Sequence, residues 1–122
     1  MKVPQKVREA VITRDGNRCL RCRQSILNVP ASVHHRKPRG MGGTSDLRCN
    51  DIRNLVLLCG TGTTGCHGWV ESNRASARED GWLIASFDDL DRNLVRPDGS
   101  CVRLFETGGS VSWHHDEIGE AQ

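Results

Sequence analysis

Tyrosine is absent from this chain, and two phenylalanines and three tryptophans are its only other aromatic residues of that kind. Only 36% of the residues are hydrophobic, so whatever core forms is thin. With 122 residues, there is room for one domain and not for two full cores. A small domain with so little to bury needs a staple. No apolar run approaches the length of a membrane span, and the opening MKVPQKVREA carries charge where a secretory signal is apolar. These absences predict a cytoplasmic protein without a membrane partner, whose thiols stay reduced. Its six cysteines are then metal ligands before they are disulfides.

The net charge is only +2, but it is unevenly divided. Residues 1–58 hold twelve Lys and Arg against four acids, and the remainder holds five Arg against eleven acids. A basic half backed by an acidic one suits a polyanion-facing side, although scattered surface arginines would give the same count.

Patterning predicts an α+β chain. VPQKVREAVITRDG reads as a short amphipathic helix, with Pro4 in its first turn, Val3, Val7, Ala10 and Val11 on one face, and Asp15-Gly16 at its end. CLRC is a tight knuckle and 24–31 a loop. Ser32 to Arg36 fits a short strand, KPRGMGGTSD is irregular, and NLVLLC fits a short buried strand. GTGTTG turns into CHGWVESNRASARED, read as one helix ending near Gly81 with Val70, Ala75 and Ala77 inward. GWLIASF reads as a strand. Two turn signals, at Pro97-Asp98-Gly99-Ser100 and Thr107-Gly108-Gly109-Ser110, predict a terminal hairpin or three-stranded meander. Trp69 and Trp82 are expected to anchor packing.

Cys19-x-x-Cys22 and Cys59-x6-Cys66 form two close pairs 36 residues apart. Four thiolates from a knuckle and a glycine-rich turn suit a tetrahedral zinc site. A single CxxC would also fit a redox pair, but the second pair has no place in that account. Cys49 and Cys101 lack partner spacing and are read as structural thiols. Because the unfolded chain has no preformed site, zinc binding contributes directly to folding.

The stretch 32-SVHHRKPRGMGG-43 sets two histidines beside a basic, glycine-rich turn. The order His34-His35, then Asn54, then His67, woven through the four cysteines, resembles the HNH endonuclease family, on HHRKPRGMGG, NLVLLC and CHGWVE. The similarity covers roughly residues 5 to 83 and is nearest to the small HNH proteins of tailed bacteriophages. It implies a zinc-stapled ββα-metal core over 1–85, with 86–122 as a C-terminal β extension and acidic tail of the same unit. By that resemblance His34 and His67 ligate one catalytic divalent ion, His35 is the general base, and Asn54 braces the loop between the strands. Where many relatives carry Asp, this chain has His34, a donor better suited to Mn²⁺, Ni²⁺ or Zn²⁺ than to Mg²⁺. The implied partners are double-stranded DNA and, in a packaging context, terminase subunits.

The residues support that chemistry on their own terms. Phosphodiester hydrolysis needs an activated water, and an imidazole accepts a proton near neutral pH. Neighbouring side chains on a strand point to opposite sides, so one ring can hold the ion while the other faces the water. Arg36, Lys37 and Arg39 are expected to contact DNA phosphates. Glu71, four residues after His67, shares its helical face and is either a further ligand or a surface residue. His114 and His115 lack such surroundings and receive no role. The alternative reading is a non-catalytic zinc module that binds nucleic acid or a packaging protein.

Overall fold

One short strand is buried on both faces, and the rest of the chain is arranged around it. In the computed structural model, which describes residues 3–37, 51–85 and 87–114, strand β2 (Leu55–Cys59) is buried at every position. Leu55 and Leu57 point to one side, Val56 and Leu58 to the other, as the two-residue period of a strand requires. This is why NLVLLC is an unbroken apolar run. Strand β1 (Ala31–His35) pairs antiparallel with it, from Ala31 opposite Cys59 to His35 opposite Leu55.

Helix α1 (Gln5–Arg14) covers the Leu55 and Leu57 side with Val11 and Val7, joined by Val3 just before the helix. Ala10, expected on the same face, is exposed. The helix end is fastened by a buried pair. Arg14 binds the Asp15 carboxylate at 2.7 Å and donates to the Ile52 and Leu55 carbonyls, while Asp15 accepts from the Leu57 amide at 3.0 Å.

On the other side of β2 lie helix α2 (Gly65–Ser72), helix α3 (Arg74–Glu79), Trp82 and the C-terminal sheet. That sheet is the expected meander: β3 (Leu94–Val95), β4 (Ser100–Leu104) and β5 (Ser110–His114), antiparallel in that order. Leu94, Val102 and Leu104 share one apolar cluster with Val56, Leu58, Val70 and Trp82. The C-terminal extension therefore completes the core of the N-terminal part. No helix of the described residues is long and apolar enough to cross a membrane.

Two expected elements differ. The helix predicted from Cys66 to Gly81 is broken at Asn73, whose amide nitrogen and side chain both donate to the Trp69 carbonyl, at 2.8 and 3.0 Å. A short amide side chain competing for a helix carbonyl ends the helix there. Ala75 then faces solvent, while Val70 and Ala77 are buried. Residues 81–85, the described part of GWLIASF before Phe87, are not a strand. The Trp82 and Leu83 amides both bond the Ala77 carbonyl, closing α3, and the Ile84 amide bonds Arg36. Burial of Trp82, Leu83 and Ile84, none more than 2% exposed, accounts for the apolar run.

Candidate functional site

Two groups of potential metal ligands sit back to back across the β1–β2 hairpin and α2. The first is Cys19, Cys22, Cys59 and Cys66, whose sulfurs all lie within 4.8 Å of one another. Cys22 Sγ and Cys59 Sγ are 3.7 Å apart. A tetrahedron with metal–sulfur bonds of about 2.3 Å has edges of about 3.8 Å, whereas a disulfide closes to about 2.05 Å. The four sulfurs therefore fit a structural Zn²⁺ site. Amide N–H groups of Cys22 and Cys66 point at Cys19 Sγ and Cys59 Sγ, at 3.5 and 3.4 Å, as thiolate acceptors require.

The closeness of the sulfurs also couples their protonation. A hydrogen bond from Cys66 and further bonds from backbone amides pull the Cys19 thiol down to about 4, against the opposing effect of burial. Cys66 is pushed up, first by that same bond and then by burial. Sulfurs so close cannot all ionise unless a cation sits among them. The turn joining Cys59 to Cys66 depends on glycine. Gly60 and Gly65 have φ of +88° and +62°, and a Cβ on either would collide with the backbone of the other end of the turn.

Arg21 completes this centre. Its guanidinium stacks 3.7 Å from the centroid of Trp69 and donates to Cys66 Sγ at 3.4 Å. One knuckle side chain thus grips α2 on both sides of His67.

The second group is His34, His67 and Glu71, with one donor atom from each within 4.8 Å of the others. The His34 and His67 ring centroids are 5.3 Å apart. His34 is buried on β1, and its Nε2 lies 2.8 Å from the Trp82 carbonyl. A carbonyl oxygen only accepts, so Nε2 carries the proton and Nδ1 keeps the lone pair a metal needs. His67 Nε2 is 3.9 Å from Glu71 Oε1, and Glu71 Oε2 accepts from Arg74 at 3.0 Å. Two imidazoles and a carboxylate form a mixed nitrogen and oxygen set that fits Mn²⁺, Ni²⁺ or Zn²⁺ better than an all-oxygen ion. His35 lines the same cleft of about 360 Å³, together with His34, His67, Glu71 and Arg74.

Compared with protein-family models, curated proteins and solved structures, the chain matches none of them. The functional reading therefore stands on these two clusters.

The remaining sequence-predicted residues divide. Asn54 is fully buried, and its Oδ1 accepts from the Lys37 amide at 2.7 Å while its carbonyl accepts from the Arg36 amide at 2.8 Å. It joins the two ends of the segment that holds the glycine-rich turn. Arg39 and Cys49 lie in that segment, outside the described residues, and His115, near the C-terminus, lies outside them too. Cys101 stands on β4 away from the sulfur cluster.

Arg36 is not placed to meet a phosphate. Its side chain is fully buried and donates to the carbonyls of Gly81, Arg53, Leu90 and Arg92, at 2.7–3.0 Å. Lys37 is also buried. The cation at the cleft is instead Arg74, which sequence reasoning passed over. The available signal was spacing: Glu71 follows His67 by four residues on α2, and Arg74 follows Glu71 by three, at the start of α3.

Burial of His34 gives a pH prediction. Burial drives its pKa down to about 4, opposed by the Trp82 carbonyl and assisted by the neighbouring His67, His35 and Arg36. An imidazole whose pKa falls on folding binds fewer protons in the native state than in the unfolded one. Its contribution to stability is complete above the unfolded value of about 6.5 and is lost as pH falls towards 4. Between about pH 7 and pH 5 the expected loss is about 2 kcal/mol. Urea midpoints for wild type and His34→Gln at both pH values check this. The variant keeps a donor for Trp82, and its drop should be smaller by that amount.

Proposed function

We propose that this protein is a metal-dependent endonuclease of the HNH type that hydrolyses phosphodiester bonds in double-stranded DNA. The observation that carries the reading is one cleft holding the His34, His67 and Glu71 donor set with His35 on its wall and Arg74 at its rim. A divalent ion there would withdraw charge from the phosphoryl oxygens and the leaving 3′ oxygen.

The chain's own residues do the rest. His35 follows His34 on β1 and lines the same cleft without belonging to the donor set. It accepts the proton of the water that attacks phosphorus, and the bond from phosphorus to the 3′ oxygen breaks. The leaving 3′ oxygen takes a proton from solvent water, and His35 returns its own to solvent, so the products are a 5′ phosphate and a 3′ hydroxyl. Arg74 supplies a fork suited to a phosphate oxygen once Glu71 turns to a cation. Few side chains around the cleft can read base edges, so the substrate is recognised through its backbone. Work beside a phage terminase in packaging rests on the motif resemblance alone.

Plasmid nicking with Mg²⁺, Mn²⁺ or Ni²⁺ tests the reading. His35→Ala should cut about 10²- to 10⁴-fold more slowly than wild type, with zinc content and melting temperature retained. Equal cutting by both proteins would remove His35 from the mechanism. Binding without cutting by the wild type would favour the zinc module instead.

A further inference from the structure

Ser32 stands two residues before His34, on the same side of β1, and no chemical role falls to it in the site above. Its hydroxyl lies 2.7 Å from His67 Nδ1 and 3.3 Å from the Gly60 carbonyl. A hydroxyl has one proton to give. If that proton goes to the Gly60 carbonyl, which can only accept, Oγ receives the Nδ1–H of His67. Nε2 then keeps its lone pair and faces Glu71 at 3.9 Å. If the proton goes to Nδ1 instead, Nε2 carries hydrogen and cannot ligate. Which way one serine turns thus decides whether His67 is a ligand.

We propose that Ser32 is a positioning residue that holds His67 in its Nδ1–H form and so presents Nε2 to the second cation. This deepens the proposed site and rests on it. The anchor of the relay is set by the sulfur cluster. Gly60 follows Cys59, and His67 follows Cys66. The Gly60 amide is fixed in turn by the Pro30 carbonyl at 2.6 Å. The structural centre therefore aligns acceptor and imidazole with the strand that carries both Ser32 and His34. Partners of ligating imidazoles typically change metal affinity by about 10- to 100-fold when removed.

The test is calorimetric titration of the zinc-loaded full chain with Ni²⁺, for wild type, Ser32→Ala and Ser32→Thr, alongside long-range nitrogen NMR of the His67 ring. The expected result is a Kd about 10- to 100-fold weaker for Ser32→Ala, with unchanged zinc content, and wild-type affinity for Ser32→Thr, which keeps the hydroxyl. In the Ni²⁺-free wild type the ring should be protonated at Nδ1, and Ser32→Ala should shift it towards the other tautomer. Equal affinity for wild type and Ser32→Ala overturns the role of Ser32 and leaves the site standing. A Ser32→Thr protein as weak as Ser32→Ala also overturns it, since packing would then be the cause. A wild type that takes up no second ion overturns the site, and the serine relay with it.

Discussion

Chelating the ion held by Cys19, Cys22, Cys59 and Cys66 is expected to unfold the whole domain, not merely to loosen one end of it. The four sulfurs join the N-terminal knuckle, the end of β2 and the first turn of α2. Cys19, Cys59 and Cys66 are also members of the larger apolar cluster, in contact with the residues that bury Trp82. Metal-free, they would leave mutually repelling or protonated sulfurs inside that cluster. Structural zinc contributes on the order of 10 kcal/mol or more in small domains, and a domain of this size is stable by about 5–15 kcal/mol in total. The loss therefore reaches the full stability. Far-ultraviolet circular dichroism and the emission of buried Trp82, followed during chelation, should change together. Cys59→Ser should behave like the chelated protein, and Cys101→Ser like wild type, because Cys101 lies outside the cluster. A zinc-free protein that still melts cooperatively at the wild-type temperature would contradict the assignment.

Much of this arrangement was legible in the sequence because it depends on local spacing. Two close cysteine pairs predict one sulfur cluster, since each pair is fixed by its own turn and only the joining of the pairs is tertiary. The apolar run Leu55–Cys59 announces a strand covered on both faces. Pro-Asp-Gly and Gly-Gly turn chemistry announces the C-terminal meander, and the order of strands within it follows from short connections. The errors arose where hydrogen bonds depart from the regular pattern, once through a side chain and once through the backbone. Asn73 looks tolerable inside a helix, and only its bond to the Trp69 carbonyl shows that the helix stops there. GWLIASF has the composition of a strand, but its amides are already committed to Ala77 and Arg36.

The site was legible in the same uneven way. His34 and His67 come together as expected, with Asn54 holding the ends of the intervening segment. Glu71 joins them through simple helical spacing. Ser32 gave no signal as a residue type, since serine in a strand is ordinary. Its importance follows from which ring nitrogen it meets, and that is set by how α2 lies over β1. The basic cluster misled for a related reason. Charge in a sequence reads as surface, and nothing in HHRKPRG distinguishes a cation facing DNA from one facing carbonyls.

Arg36 is the sharpest instance, and replacing it should be markedly destabilising. Arg36→Met removes the donors from four carbonyls, those of Gly81, Arg53, Leu90 and Arg92. Each buried acceptor left without a partner costs about 1–3 kcal/mol. Against this stands relief from burying a cation that has no carboxylate within bonding distance among the described residues. Burial, followed by repulsion from Arg92 and Arg14, lowers the Arg36 pKa from the ordinary guanidinium range to about 10, which corresponds to about 3 kcal/mol. Four lost acceptor bonds sum to about 4–12 kcal/mol and outweigh that relief, with the low end favoured because the Arg53 and Arg92 carbonyls are only partly buried, so the expected net destabilisation is a few kcal/mol, about 1–5. Arg36→Lys should fall between wild type and Met, because an ammonium keeps the charge but cannot span carbonyls arranged around a planar fork. Urea midpoints of the zinc-loaded proteins measure the difference, with Arg74→Met as the comparison. Arg74 lies at the cleft and is partly exposed, so under the proposed function its loss should weaken DNA binding while leaving the midpoint nearly unchanged. An Arg36→Met protein of wild-type stability that had lost its hold on DNA would reverse the two roles, returning Arg36 to the phosphate-facing surface.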